Sequence, residues 1–184
     1  MTLGYGLIAV ALLFAAAALY AAFRYRSGNL HTVVRGRLYR SAQPDGAQLS
    51  RWHERLGFRT ILNLRGAHPH WPIYRAEKSF AEANGVTLVD FPISSKRLLT
   101  ETQIENLLVI LREAEAPILV HCRSGADRSA LVAGIFARTA GRSDLFALWQ
   151  FSPWYGHWPL PFMRAYAMDK TFAAFRERLR RTNS

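Results

Sequence analysis

An α/β fold with a mostly parallel central sheet flanked by helices is what this sequence predicts, preceded by one N-terminal transmembrane helix. Three observations carry that reading. Short β-rich runs alternate with helical patterns along most of the chain, which is the signature of strand-helix-strand units. One of these runs, Pro117-Ile-Leu-Val120, is apolar without alternation, as a strand buried on both faces should be. The first charged side chain is Arg24, so a long uncharged stretch stands ahead of the α/β pattern.

That stretch, residues 3–23, would span about 31 Å as a helix at ~1.5 Å per residue, close to the hydrocarbon thickness of a bilayer. A cleaved signal peptide is the rival reading. Its leading segment normally carries Lys or Arg, which Met1-Thr2 does not, although the alanines offer a cleavage site. Arg24, Arg26, Arg35, Arg37 and Arg40 follow the stretch and nothing basic precedes it. The positive-inside rule then places the catalytic domain in the cytoplasm, whereas a cleaved leader would export it. Arg24 and Arg26 read as topology determinants, with contact to an anionic leaflet as a further possibility. Residues 1–26 are thus expected to be anchor and basic flank, and residues 27–184 one domain.

Half of the 184 residues are hydrophobic, which excludes a disordered chain, a collagen-like fibre or a coiled coil. The single cysteine rules out an intramolecular disulfide and any zinc site that needs two thiolates. Lys and Arg number 24 against 13 Asp and Glu, and lysine occurs only at Lys78, Lys96 and Lys170. Arginine grips phosphate bidentately, so the +11 charge admits nucleic acid, anionic lipid or a phosphorylated substrate.

The elements follow in order. Val33-Val34 and Leu38-Tyr39 form short strands around Gly36. Residues 48–56 are helical and stop at Gly57; residues 60–64 are β-rich. Residues 71–84 are helical and stop at Gly85, and residues 86–89 form a strand ended by Pro92. Thr100 caps a helix carrying Ile104, Leu107, Leu108 and Leu111 at helical spacing. After the strand at 117–120, residues 129–139, 143–150 and 161–181 are helical. No internal repeat interrupts the pattern.

One stretch carries chemistry. Between the strand at 117–120 and the apolar helix lies His121-Cys-Arg-Ser-Gly-Ala-Asp-Arg-Ser129. A short loop from a strand into a helix N-terminus traps anions, because free backbone N–H groups point inward and the helix dipole adds positive potential. Gly125 allows backbone angles that let the loop curl. Cys122 at its mouth would be held as a nucleophilic thiolate. Arg128 would return across the loop and fork onto two oxygens of a phosphoryl group. A buried core cysteine is the plainer reading of Cys122, and the surrounding motif outweighs it.

HCRSGADRS resembles the His-Cys-x5-Arg-Ser/Thr signature of the cysteine-dependent phosphatases, the protein tyrosine and dual-specificity superfamily. Leu38-Tyr-Arg-Ser-Ala-Gln-Pro44, Phe58-Arg-Thr-Ile-Leu-Asn-Leu-Arg65 and Asp90-Phe-Pro-Ile93 are similar to segments of compact bacterial members, in the same order. The resemblance runs over roughly residues 33–140 and weakens through Tyr155-Gly-His157 and Ala167-Met-Asp169. Rhodaneses also put a cysteine on such a loop but have the arginine five residues on, where this chain has Asp127.

The resemblance implies a protein-tyrosine-phosphatase-like fold and a phosphocysteine intermediate, with no metal and no cofactor. It implies backbone phosphate binding by Arg123, Ser124, Gly125, Ala126 and Asp127, together with Arg128 and Ser129. Ser129 would hydrogen-bond the leaving thiolate or cap the helix. His121 would help set the thiolate or simply pack. Arg40 and Arg65 would add positive field or form surface ion pairs. The general acid, in most relatives an aspartate on a separate loop, departs from the pattern, since residues 94–99 hold no acid. Asp127 is favoured because myotubularin-like and Lys-Asp-Arg bacterial relatives carry an aspartate there. Asp90 follows, and Glu101 is third.

The expected substrate is a phosphorylated protein, phosphotyrosine first. The alternatives are a phospholipid head group (phosphoinositide or phosphatidylglycerol phosphate) and a catalytically poor phosphate-binding scaffold tethered to the membrane. No nucleotide or dinucleotide fingerprint occurs and no nucleic acid partner is expected. His68-Pro-His70 lacks a third ligand for a metal. The aromatic residues Trp149, Phe151, Trp154, Tyr155 and Trp158 suit a membrane interface or a packed lid. Arg176-Glu-Arg-Leu-Arg-Arg181 suits anionic lipid or a solvated helix end.

Overall fold

The computed structural model describes residues 2–182, without the side chains of residues 2–4, 7, 9 and 13. Five strands form one sheet in the order β1-β2-β5-β3-β4. They are β1 (His31–Val34), β2 (Leu38–Ser41), β3 (Thr60–Asn63), β4 (Thr87–Asp90) and β5 (Ile118–His121). The edge hairpin β1-β2 is antiparallel and every other pair is parallel, so the sheet is mixed. The parallel strands end in register, placing Ser41, His121, Asn63 and Asp90 in one row across the sheet. These are the carboxyl ends of the strands, where open α/β sheets bind ligands.

Period-2 alternation divides the strands between two cores. Leu38, Leu62, Ile118 and Val120 pack under α4 (Glu101–Glu113), α5 (Asp127–Thr139), α6 (Asp144–Trp149) and α7 (Ala167–Thr182). Tyr39, Ile61 and Leu119 face α2 (Gly46–Leu56) and α3 (Pro72–Asn84). Helix α5 is the keystone: Ser129 through Ala137 are all buried. Each fully buried Leu, Ile or Phe there contributes roughly 1.5–3 kcal/mol.

Capping residues set the helix limits. Thr100 and Gln103 form a reciprocal capping box on α4, and Gly57 and Gly85 close α2 and α3 in the left-handed region. Three expected boundaries move. Helix α2 starts at Gly46 because Asp45 and Gln48 form a second capping box. Helix α5 starts at Asp127, and its N-cap Ala126 makes no side-chain cap bond. Residues 161–166 are turn and 3-10 helix, since Leu160 and Trp158 each precede a proline, which disfavours helical backbone.

Helix α1 (Thr2–Arg26) forms over the uncharged stretch. The membrane span expected over residues 3–23 rests partly on residues 3, 4, 7, 9 and 13, whose side chains lie outside the described set. Among the described residues no helix is long and apolar enough to cross a membrane, so the transmembrane expectation is not supported. Arg24 also has a structural contact. Its guanidinium donates to Tyr155 O at 2.9 Å and to Asn29 Oδ1 at 3.3 Å, pinning the end of α1 to the domain. Tyr20 donates to Trp154 O beside it.

Candidate active site

Cys122 leaves the end of β5 buried, and the chain turns through residues 123–126 into α5. Gly125 has φ +69°, and a Cβ there would lie 2.5 Å from Ser41 C and 2.6 Å from Ala42 N. Only glycine lets the loop press against the exit of β2. Four consecutive loop carbonyls are drawn outward by outside donors. Gln43 N donates to Arg123 O at 3.3 Å and Asn29 Nδ2 to Ser124 O at 2.9 Å. Arg40 Nη2 donates to Gly125 O at 2.8 Å and Ala126 O at 2.9 Å. Because a trans peptide is planar, an outward carbonyl turns the next N–H inward. The result is a nest of amide hydrogens around the Cys122 mouth, opening onto the uncapped end of α5.

Arg40 is fully buried beneath this nest. Its other nitrogen, Nη1, donates to Gln150 O at 2.8 Å and Gln150 Oε1 at 3.2 Å, and its guanidinium stands 4.4 Å from the Tyr155 ring centroid. Burial pulls its pKa down to about 10, opposed by the fields of Tyr155 and Cys122. It stays charged at neutral pH. The expected supporting role of Arg40 is therefore that of a charged strut under the loop.

Arg128 is half-buried and donates through Nη1 to Leu64 O at 2.9 Å and Ile93 O at 3.3 Å, at the exits of β3 and β4. Among the described residues its Nε and Nη2 carry no partner. Arg65 donates to Gln43 Oε1 at 3.1 Å and lies 4.3 Å from the Trp71 ring centroid. Burial first, then repulsion from Arg128 and Arg123, lowers the Arg65 pKa, while Cys122 opposes them. These three guanidinium groups share one field at the loop, and an anion would relieve their repulsion.

His121 and Glu77 are both fully buried, with Nε2 2.7 Å from Oε1 in a close contact that is not aligned as a hydrogen bond. His121 thus packs under the loop on a carboxylate from α3. Ser129 is buried in the first turn of α5, and its Oγ has no partner among the described residues. Capping of α5 by Ser129 is not seen.

The acid candidates are all engaged or remote. Asp90 Oδ1 accepts from Asn63 Nδ2 at 2.7 Å and Oδ2 accepts from Tyr74 Oη at 2.6 Å. Burial and this bond push Tyr74 up to about 12. Asp90 thus ties the end of β4 to β3 and α3. Asp127 Oδ1 lies 2.8 Å from His157 Nδ1, and His157 Nε2 lies 2.9 Å from Asp169 Oδ2. The side-chain partner of Asp127 is thus a histidine and not an arginine. Glu101 is exposed in the first turn of α4.

A family model described as the DSP-PTPase phosphatase fused to NAD+ kinase matches residues 17–144, more than half of the chain. The chain belongs to this family of cysteine-dependent phosphatases. Inositol diphosphatase DSP1 of Oryza sativa subsp. japonica is 33% identical over 102 residues, 53% of this chain and 44% of that protein. A beta-lactamase hydrolase-like protein of Agrobacterium fabrum is 37% identical over 71 residues, 38% of this chain and 16% of that protein. The chain spans less than half the length of these curated relatives. The core catalytic domain of the PP-IP phosphatase SIW14 from S. cerevisiae, solved with citrate, matches with TM-score 0.62 and 25% identity over 78% of this chain and 83% of that one. TpbA of P. aeruginosa shares the fold at TM-score 0.61 and 22% identity, over 81% of this chain and 91% of that one.

Beside the phosphatase loop lies a cleft of about 710 Å³ whose walls include Arg24, Arg26, Arg51, Arg123 and Ser124. Sequence reasoning missed Asn29, Glu77, Gln150, His157 and Asp169. His157 and Asp169 lie in the two segments where the resemblance weakens, and Glu77 shares a buried α3 face with Tyr74 and Ala81 at helical spacing.

Proposed function

We propose that the phosphatase is a metal-independent phosphomonoester hydrolase that works through a phosphocysteine, with phosphotyrosine protein as its leading substrate. The outward-drawn carbonyls of residues 123–126 carry this reading, because they aim the loop amides at one tetrahedral anion above Cys122. Cys122 Sγ attacks phosphorus in line, the S–P bond forms and the P–O bond to the leaving group breaks. The loop amides with Arg128 Nε and Nη2 hold the equatorial oxygens. Water then attacks the phosphocysteine, the S–P bond breaks, and Ser129 Oγ donates to the departing thiolate.

Asp127 is the proposed proton carrier, since its Oδ2 has no partner among the described residues while both Asp90 oxygens are taken. It would protonate the leaving oxygen and later accept a proton from the attacking water. Its other oxygen is tied to His157 at 2.8 Å, so a single oxygen serves both proton transfers. Leaving groups that need little protonation should therefore react fastest, and phosphotyrosine should outrun phosphoserine.

A second reading rests on the guanidinium groups of Arg65, Arg123 and Arg128 and the basic cleft beside them. They suit a phosphate carried on a polyanion, as the names inositol diphosphatase and PP-IP phosphatase state for two similar proteins. A panel of phosphotyrosine peptides, phosphoserine peptides, inositol phosphates and phosphoinositide vesicles tests both. Turnover led by phosphotyrosine peptides supports the first reading, and turnover led by inositol phosphates replaces it with the second. Phosphoserine in the lead contradicts the proton argument.

Location is proposed from the sequence: membrane attachment through the N-terminal segment with the catalytic domain cytoplasmic. Protease access in intact cells tests it; digestion from outside would establish export instead.

A further inference from the structure

His157 lies outside the signature motif, on the segment between α6 and α7, yet its side chain is fully buried against the first turn of α5. We propose that His157 is a positioning residue of the phosphatase: bridging Asp127 and Asp169, it holds the Asp127 carboxylate away from Arg128 and Arg40 and so keeps the loop's arginine open to phosphate. This rests on Cys122 and Arg128 being the catalytic pair.

Three observations support it. First, the bridge is built on both sides, at 2.8 Å to Asp127 Oδ1 and 2.9 Å to Asp169 Oδ2. A ring with a carboxylate at each nitrogen satisfies both only when both nitrogens carry a proton. Second, Asp127 is adjacent in sequence to Arg128, and its field reaches Arg40 beneath the loop. Without a partner of its own, a carboxylate in this position would compete with the substrate for guanidinium. Third, the charged groups facing the ring are Asp127 from α5 and Asp169 from α7. Phe151 presents a ring edge at a centroid distance of 5.5 Å. Burial works against a charge on His157, yet the two carboxylates outweigh it and raise its pKa to about 9. Above that pH a neutral ring can donate to one carboxylate only, and the bridge opens.

The test uses the full chain and tungstate, an oxyanion the size of phosphate, with binding read by calorimetry from pH 6 to 10. The wild type is expected to lose tungstate affinity as pH rises through about 9. His157→Gln is expected to bind about tenfold more weakly at pH 7, the scale of one charge-assisted contact. Adding Asp127→Asn to His157→Gln should restore the affinity, because no carboxylate is left to compete for Arg128. A structural role in docking α7 would give no such rescue, and that result overturns the proposal, as does unchanged affinity in His157→Gln. If the variant does not fold, nitrogen-15 NMR of the wild type decides. Two protonated ring nitrogens at pH 8 support the bridge, and an imidazole titrating near its ordinary value of about 6.5 refutes it. Loss of the underlying reading shows separately, as hydrolysis that persists in Cys122→Ser.

Discussion

Arg40 does for the loop what no surface residue could. It sits beneath the nest, satisfies two loop carbonyls and Gln150, and brings a full charge under Cys122. Arg40→Ala would leave Gly125 O without its donor and strip Ala126 O, which keeps Ala130 N, and Gln150 of a charged one, at a cost of about 3 kcal/mol. Urea unfolding should show that loss, and tungstate binding should weaken with it; an unchanged midpoint would deny Arg40 its structural role. Gly125 is as constrained for a different reason. Gly125→Ala forces a Cβ into the Ser41-Ala42 backbone at a positive φ, and turnover of para-nitrophenyl phosphate should fall by at least about tenfold. Wild-type turnover in this variant would mean that the loop does not need its close approach to β2.

At the scale of elements, α5 and α7 are joined through His157. The sign of its pH effect follows from the raised value. Stability from the bridge is fully present below the unfolded value of about 6.5 and is lost as pH rises through the folded value of about 9. The melting temperature is expected to fall between pH 7 and 10 in the wild type and to change less in His157→Gln; parallel curves would contradict the bridge. The elements themselves were largely legible, because their signals are local. Thr100 with Gln103, Gly57, Gly85 and the apolar 117–120 run each mark a boundary within a few residues of chain. The Asp45-Gln48 box was equally local and was overlooked. The missed start of α5 has a physical cause, since a helix whose free N–H groups await an anion needs no capping side chain. Residues 161–166 misled because their composition is helical while the prolines at 159 and 161 govern the backbone.

For the whole molecule, the site was legible as far as the contiguous motif extends and no further. Cys122, Gly125, Arg128 and Ser129 announce themselves by spacing. Gln150 lies 110 residues from Arg40, and Glu77 reaches His121 from the opposite core, so only the fold brings them together. The same fold carries α1 against Trp154 and Tyr155, which gives Arg24 a structural contact that its place in the basic flank did not announce. The chemistry proposed for the molecule uses a thiolate, loop amides, a guanidinium, a hydroxyl and a carboxyl proton carrier, all supplied by its own side chains and backbone. Turnover of para-nitrophenyl phosphate should therefore survive EDTA; abolition by EDTA with recovery on adding a divalent cation would contradict that assignment. The central claim is tested most directly by rapid acid quench during turnover of a phosphorus-32-labelled substrate, followed by peptide mapping. The account expects label bound covalently to the peptide containing Cys122, and neither label nor turnover in Cys122→Ser. Hydrolysis in Cys122→Ser, or turnover with the label never on that peptide, would contradict it.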